Sequence, residues 1–274
     1  MDKDLHKETV TPREALLARA DKLKVLPTLA PIIDKVLSVA ADDNASFRDL
    51  SDVLKYDQAI SSKIISIANS AYFSRGSQTV SLERAMAAIG LDEVRRIVMC
   101  LVFLKEMLGQ CELSQGDLAS LWRHTLSVAC AARTLAEKTL AADSEKVFTA
   151  AILHDVGKVP FLLHGDAYRT VQEEARRTGR DVCSLEREAF GIDHAELGRL
   201  VSTKWRFPEE FSAVILGHHG GHGTAGTLVD IVMKADRFTE NPQSDIGPEG
   251  IILRRESERI KAETKRIAEL LGVA

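Results

Sequence analysis

Apolar residues along this chain recur three and four positions apart, and no stretch of strand length alternates strictly between apolar and polar. Ile60, Ile64, Ile67 and Ala68 share one face behind Asp57, a residue suited to capping a helix. Before them, Ser46-Phe47-Arg48-Asp49 has the form of a capping box opening a short helix through Leu50, Val53 and Leu54. Leu82, Ala85, Met86 and Ile89 form a further stripe that ends at Gly90, a natural stop, and Asp92 starts a helix through Val94, Ile97, Val98, Leu101 and Val102. From Ser114 a long helix carries Leu118, Leu121, Trp122, Thr125, Val128, Ala132 and Leu135. Tyr168 to Thr178 reads as a charged, exposed helix, and Cys183 to Phe190 leads to Gly191. The pattern predicts an all-α protein with no substantial sheet.

The same periodicity places chemistry. Val147, Ala150, Ala151 and His154 fall at i, i+3, i+4 and i+7, so His154 shares the inward stripe of a buried helix and Asp155 follows it directly. One helix end thus delivers an imidazole and a carboxylate together, a donor pair suited to Fe, Mn, Ni or Zn. Gly157 is expected to stop that helix, and Lys158 beyond it offers an ammonium to an anion. A core histidine oriented by a neighbouring acid would account for the dipeptide equally well. The rest of the histidine inventory tips the balance. His124 lies three after Leu121 and four before Val128; His194 follows the capping Asp193 on a helix backed by Leu197, Val201 and Trp205. Past Pro208, Phe211, Val214 and Ile215 lead to His218 and His219, and Asp236 lies four beyond Val232. His164 and His222 fall in loops and are not expected among the ligands, although His222 could line a pocket beside them. Five inward histidines and two carboxylates in one core would be costly without a cation, since each unpaired buried polar group costs about 1–3 kcal/mol.

Composition narrows the setting. Of 274 residues, 45% are hydrophobic and 28% charged, as in ordinary globular proteins, and the net charge of −4 supplies no basic field for nucleic acid. Cys100, Cys111, Cys130 and Cys183 lack CxxC spacing, which suits free thiols in a reducing compartment. With no apolar run of membrane-spanning length and no signal-peptide pattern, a cytoplasmic location away from membranes is expected. The segment from Gly109 to Gly116 suggests a seam, giving a helical subdomain over residues 1–110, a metal-type subdomain over 111–245 and a charged helix over 246–274. The last has a thin stripe of Ile252, Ile260, Ile267 and Leu271, which can dock on the body or pair two copies as a homodimer. Asn69-Ser70 is expected to fix a turn between helices.

Several motifs in order carry a resemblance. They are Leu26-Pro27-Thr28-Leu29, Tyr56-Asp57, Ala68-Asn69-Ser70-Ala71-Tyr72 and Ala85-Met86-Ala87-Ala88-Ile89-Gly90. Further along come His154-Asp155-Val156-Gly157-Lys158, Asp193-His194-Ala195-Glu196-Leu197-Gly198, Trp205-Arg206-Phe207-Pro208 and His218-His219. From Leu26 to about Glu240 the chain resembles the HDOD family, the HD-related output domains of bacterial signalling proteins, within the HD superfamily of metal-dependent phosphohydrolases. The resemblance implies an HD-type helical bundle with an N-terminal helical subdomain. It implies two divalent transition-metal ions (Fe, Mn, Ni or Zn) bridged by Asp155, with His124, His154 and Asp236 completing one site and His194, His218 and His219 serving the other. Asp155 and Lys158 would be the catalytic candidates, Lys158 neutralising phosphate charge. Ser120 stands where some HD-GYP relatives carry a glutamate ligand, and the GYP element that follows their paired histidines is replaced here by Gly220-Gly221-His222-Gly223. The first departure argues against a third metal; the second, with an N-terminal bundle that looks like a contact surface, favours a signalling output module that binds a phosphate-bearing small molecule or a signalling protein. The alternative is a phosphohydrolase or phosphodiesterase acting on a nucleotide or cyclic dinucleotide.

Overall fold

A computed structural model of the chain describes residues 11–22, 47–55, 57–74, 78–103, 114–220 and 226–272, and these contain helices and connecting turns but no strand. The Leu26 to Leu29 motif, Ser46, Tyr56, Cys111, His222 and most of the expected seam lie outside the described residues.

In chain order the helices are α1 (Pro12–Lys22), α2 (Phe47–Leu54), α3 (Gln58–Ala68), α4 (Leu82–Ile89) and α5 (Leu91–Val102), followed by α6 (Gln115–Thr139), α7 (Ser144–Leu153), the short α8 (Lys158–Leu162), α9 (Asp166–Thr178) and α10 (Val182–Phe190). The series closes with α11 (His194–Lys204), α12 (Glu209–Gly217), α13 (Thr227–Glu240), α14 (Pro248–Arg255) and α15 (Ser257–Leu271). Short polar side chains start many of them. Asp57, Ser81, Ser114, Asp143 and Asp181 each accept a backbone N–H from the first turn of the helix they precede, satisfying a donor the helix leaves open. Asp193 and Glu196 complete a capping box at the start of α11.

The axis of the molecule is α6. Its 25 residues pack against α7, α13 and α15, and its middle turns, Leu126, Val128, Ala129, Cys130, Ala131 and Ala132, are fully buried. Small residues there let neighbouring helices come close. The helices α3 to α5 pack on one another, and α5 reaches α7. At the other end α1 packs on α8, α10 and α11, so the first described helix braces the histidine-bearing half. Cys100, Cys130 and Cys183 are buried and free. A largely buried network of Glu93, Arg96, Arg133, Glu145, Glu263 and Arg266 ties α5, α6, α7 and α15 together.

Two expectations need correction. The charged C-terminal helix is two helices, α14 and α15, meeting at Glu256, and Ile260, Ile267 and Leu271 are buried where α15 docks on α5 and α6. The Tyr168 to Thr178 helix is not wholly exposed: Tyr168 is 1% exposed, because α9 lays its first turn on Phe161 and Phe190. Among the described residues no helix is long and apolar enough to cross a membrane.

Asn69 fixes a turn as expected. Its amide donates to the Thr79 carbonyl and its carbonyl oxygen accepts the Thr79 N–H, each at 2.8 Å, closing the connection between α3 and α4. Next to it the Ser70 hydroxyl is buried without a partner among the described residues. Asn69→Ala should therefore lower unfolding free energy by about 1–2 kcal/mol, while Ser70→Ala should be neutral or slightly stabilising, as read by urea titration. Equal losses from both would show that the pair contributes packing and not these hydrogen bonds.

Candidate metal centre

Five helix ends or faces converge on one point. His154 caps α7, Asp155 follows it, His194 is the first residue of α11, His218 and His219 follow α12, and His124 and Asp236 project from α6 and α13. The convergence depends on a close approach of backbones. Gly157 has φ −70° and does not end α7, which already stops at Leu153, so its expected role as a stop is corrected. A Cβ on Gly157 would lie 1.9 Å from the His194 carbonyl oxygen and 2.6 Å from the Gly198 nitrogen. The missing side chain is what lets α11 seat His194 beside Asp155.

The two oxygens of Asp155 look in different directions. Oδ2 is 3.3 Å from Nε2 of both His124 and His154; Oδ1 is 3.5 Å from Nε2 of both His194 and His218. Asp236 Oδ1 lies 3.1 Å from His124 Nε2 and 3.9 Å from His154 Nε2, and its Oδ2 is 4.0 Å from His219 Nδ1. The six residues singled out by helical phase, and Asp155 beside His154, are therefore brought together. His164 is not among them: its ring lies edge-on to Phe190 with centroids 5.3 Å apart. Burial is uneven, since the His124 and His219 side chains keep 22% and 15% of their surface exposed whereas His154, His194, His218 and Asp155 are buried.

Backbone and side-chain acceptors set the tautomers. His154 Nδ1 donates to the Ala151 carbonyl at 2.6 Å, His218 Nδ1 to Ile215 at 2.8 Å, and His194 Nδ1 to Glu186 Oε2 at 2.7 Å. Each neutral ring then turns an Nε2 lone pair inward. Yet the Nε2 atoms of His194 and His218 are only 3.3 Å apart, a contact that is repulsive between lone pairs unless a cation or proton lies between. Among the described residues, His124 Nε2, His154 Nε2, Asp155 Oδ1 and Asp236 Oδ1 are buried without a hydrogen-bond partner. Orphaned donor atoms of this kind, with nitrogen and oxygen mixed, fit a divalent transition metal. The His/Asp cluster can hold a metal ion.

Electrostatics at Asp155, Asp236, His194 and His219 agree with that fit, whereas His124 has to lose a proton to become a ligand. Burial works against charge on Asp155, but His154 and Lys158 hold its carboxyl well below the usual range. Burial also opposes charge on Asp236, which the His124 imidazole 3.1 Å away nonetheless keeps low. Burial pushes His194 and His219 down, leaving their rings neutral and available as ligands. Against its own burial, His124 is pushed up to about 9 by Asp155 and Asp236. Lys158 Nζ sits 2.7 Å from Asp155 Oδ2, and the ion pair raises the ammonium's pKa despite burial.

A second layer, which the sequence pattern does not single out, stands behind the cluster. Glu186 is fully buried, accepts both the N–H and the Nδ1–H of His194, and takes a 2.8 Å hydrogen bond from the Tyr168 hydroxyl. Partners of this type orient a ligating ring. Burial pushes the Glu186 carboxyl up to about 7. Its signal was present in the spacing, three after Cys183 and four before Phe190 on the inward face of α10. A cavity of about 330 Å³ opens onto the cluster and is lined by His124, Asp155, Lys158, Gln172, Arg176 and Glu240 among others. Arg176, Gln172 and Glu240 had also been passed over, because they come from exposed-looking positions on α9 and the last turn of α13.

The fold and site define a class: an all-helical HD-type domain with a histidine–aspartate cluster at its centre. The chain belongs to the HDOD domain family, whose family model matches residues 26–220. It is similar in fold to an HDOD domain protein of unknown function from Geobacter sulfurreducens (TM-score 0.72, 23% identity, 94% of this chain and 98% of that one). A protein from Shewanella amazonensis provisionally described as a phosphohydrolase gives TM-score 0.63 at 23% identity, over 94% and 95% of the two chains. One from Marinobacter aquaeolei provisionally described as a signal transduction protein gives 0.66 at 15% identity, over 96% and 64%. An uncharacterised protein of Treponema pallidum is 20% identical over 73% of this chain, which spans 39% of that relative's length.

Proposed function

We propose that this protein is a signal-transduction output module whose dinuclear divalent-metal site binds a phosphate-bearing ligand or regulatory partner. The observation that carries the reading is the division of the cluster by Asp155, with His124 and His154 at one carboxylate oxygen and His194 and His218 at the other. His124, His154, Asp155 and Asp236 would hold one ion, and Asp155, His194, His218 and His219 the second. Bound there, two cations would supply charge neutralisation and Lewis acidity at a phosphoryl group. The chain's own residues do the rest: Lys158 and Arg176 present positive charge in the cavity, Gln172 offers an amide, and Glu186 with Tyr168 holds the His194 ring in place. Hydrolysis of a nucleotide or cyclic dinucleotide is the second reading, supported by the cavity's direct access to Asp155 and Lys158.

Titration of the manganese-loaded protein with pyrophosphate tests the first reading. Saturable, metal-dependent binding is expected, weakened about tenfold by Lys158→Ala, which corresponds to about 1.4 kcal/mol. No turnover of bis(p-nitrophenyl) phosphate above that of free manganese is expected. Turnover that Asp155→Asn abolishes would replace the signalling reading with the hydrolytic one, and absence of pyrophosphate binding would sink both.

A further inference from the structure

On the far side of α6 and α13 from the metal cluster is a second cavity, of about 750 Å³, within the size range of small-molecule sites. Trp122, Leu126, Phe238 and Ile260 give it an apolar floor, and each of these side chains is otherwise buried. Its other lining residues include Arg123, Arg254, Lys261 and Lys265, and no acidic residue is among the described lining. Lys261 and Lys265 have acidic neighbours one helical turn away, at 2.8 Å from Glu258 and 3.7 Å from Glu269, whereas Arg254 hydrogen-bonds a neutral carbonyl, that of Pro242, at 3.3 Å. Arg123 makes no ion pair among the described residues. Trp122 is 2% exposed, and its buried indole N–H has no hydrogen-bond partner among the described residues.

We propose that this cavity is a binding site for an amphipathic anion, an apolar chain or ring system carrying a carboxylate or phosphate. Apolar walls favour the body of such a ligand through removal of apolar area from water, and the guanidinium groups of Arg123 and Arg254, which have no acidic partner among the described residues, select the sign of its head. A neutral apolar ligand would leave the cationic edge unused; a cationic one would be repelled by it. None of the seven cluster residues lines this cavity, although Arg123 adjoins His124 and Phe238 lies two beyond Asp236. The two sites thus share helices and not side chains.

Decanoate, titrated into the metal-loaded protein and followed by Trp122 fluorescence and calorimetry, tests the proposal. One-to-one saturable binding is expected, unaffected by excess inorganic phosphate. Decyltrimethylammonium, of equal chain length and opposite charge, should bind at least about tenfold more weakly, a difference of about 1.4 kcal/mol. Ala268→Trp, which fills the cavity, should abolish decanoate binding, and Arg254→Glu combined with Lys265→Glu should weaken it about tenfold. Decyl phosphate matching or exceeding decanoate would identify phosphate as the preferred head within the same class. Equal binding of the two charge types, persistence of binding in Ala268→Trp, displacement by inorganic phosphate, or no saturable binding would each overturn the assignment.

Discussion

Asp155→Ala is expected to emerge from metal loading with no bound ion, where the parent protein is expected to carry two per chain. Both halves of the cluster depend on this carboxylate: one oxygen faces His124 and His154, the other His194 and His218. His194→Ala removes a donor from one half and should leave one ion. His164→Ala, whose ring packs on Phe190 away from the cluster, should leave both. Elemental analysis after gel filtration reads all three. Truncation of Asp155 also strands the Lys158 ammonium in a buried setting, at an expected cost of about 3–5 kcal/mol in the metal-free protein. Asp155→Asn is the companion variant, since it keeps the side chain's shape and an oxygen; it should fold and still lose metal. Two ions retained by Asp155→Asn, or metal stripped by His164→Ala, would show that the cluster is not organised around this residue.

A single methyl group at Gly157 should be nearly as damaging, by a different route. Its Cβ would lie 1.9 Å from one backbone atom of α11 and 2.6 Å from another, and backbone cannot rotate aside as a side chain can. Overpacking in cores usually costs 1–3 kcal/mol; with two helices forced apart, Gly157→Ala should cost about 3 kcal/mol or more. The displacement moves His194, so metal retention should fall together with the urea midpoint. Gly179→Ala is the control. Gly179 has φ 71° at the end of α9 with nothing within 4 Å of a built Cβ, so about 1 kcal/mol of backbone strain and unchanged metal content are expected there. Similar behaviour of the two variants would mean that conformation, and not the approach of α11, is what Gly157 provides.

The contrast between these glycines marks how far sequence could carry the argument. Capping residues and 3.6-residue stripes depend on contacts within a few positions of one another, so α3, α6 and α11 were legible from Asp57, Ser114 and Asp193, and α4 and α7 from their apolar stripes. Helical phase also picked out His124, His154, His194, His218, His219 and Asp236 and set His164 aside, because a ligand in a helical core must lie on the buried stripe. Phase says which way a side chain leaves its own helix and nothing about which helix it meets. That is why the charged C-terminal segment left docking and pairing equally open until α15 was placed on α5 and α6, and why Tyr168, on a helix that reads as solvent-facing, proved to be buried. It is also why Gly157 was read as a helix stop. Local conformation and long-range approach both demand glycine, and they are told apart by the atoms of another helix. The division of the cluster by the two oxygens of Asp155, the brace of Glu186 behind His194, and the cationic, apolar cavity on the other side of α6 were decided by tertiary structure alone, since each joins residues from helices whose relative placement is fixed by packing across the whole domain and not by the order of residues within any one of them.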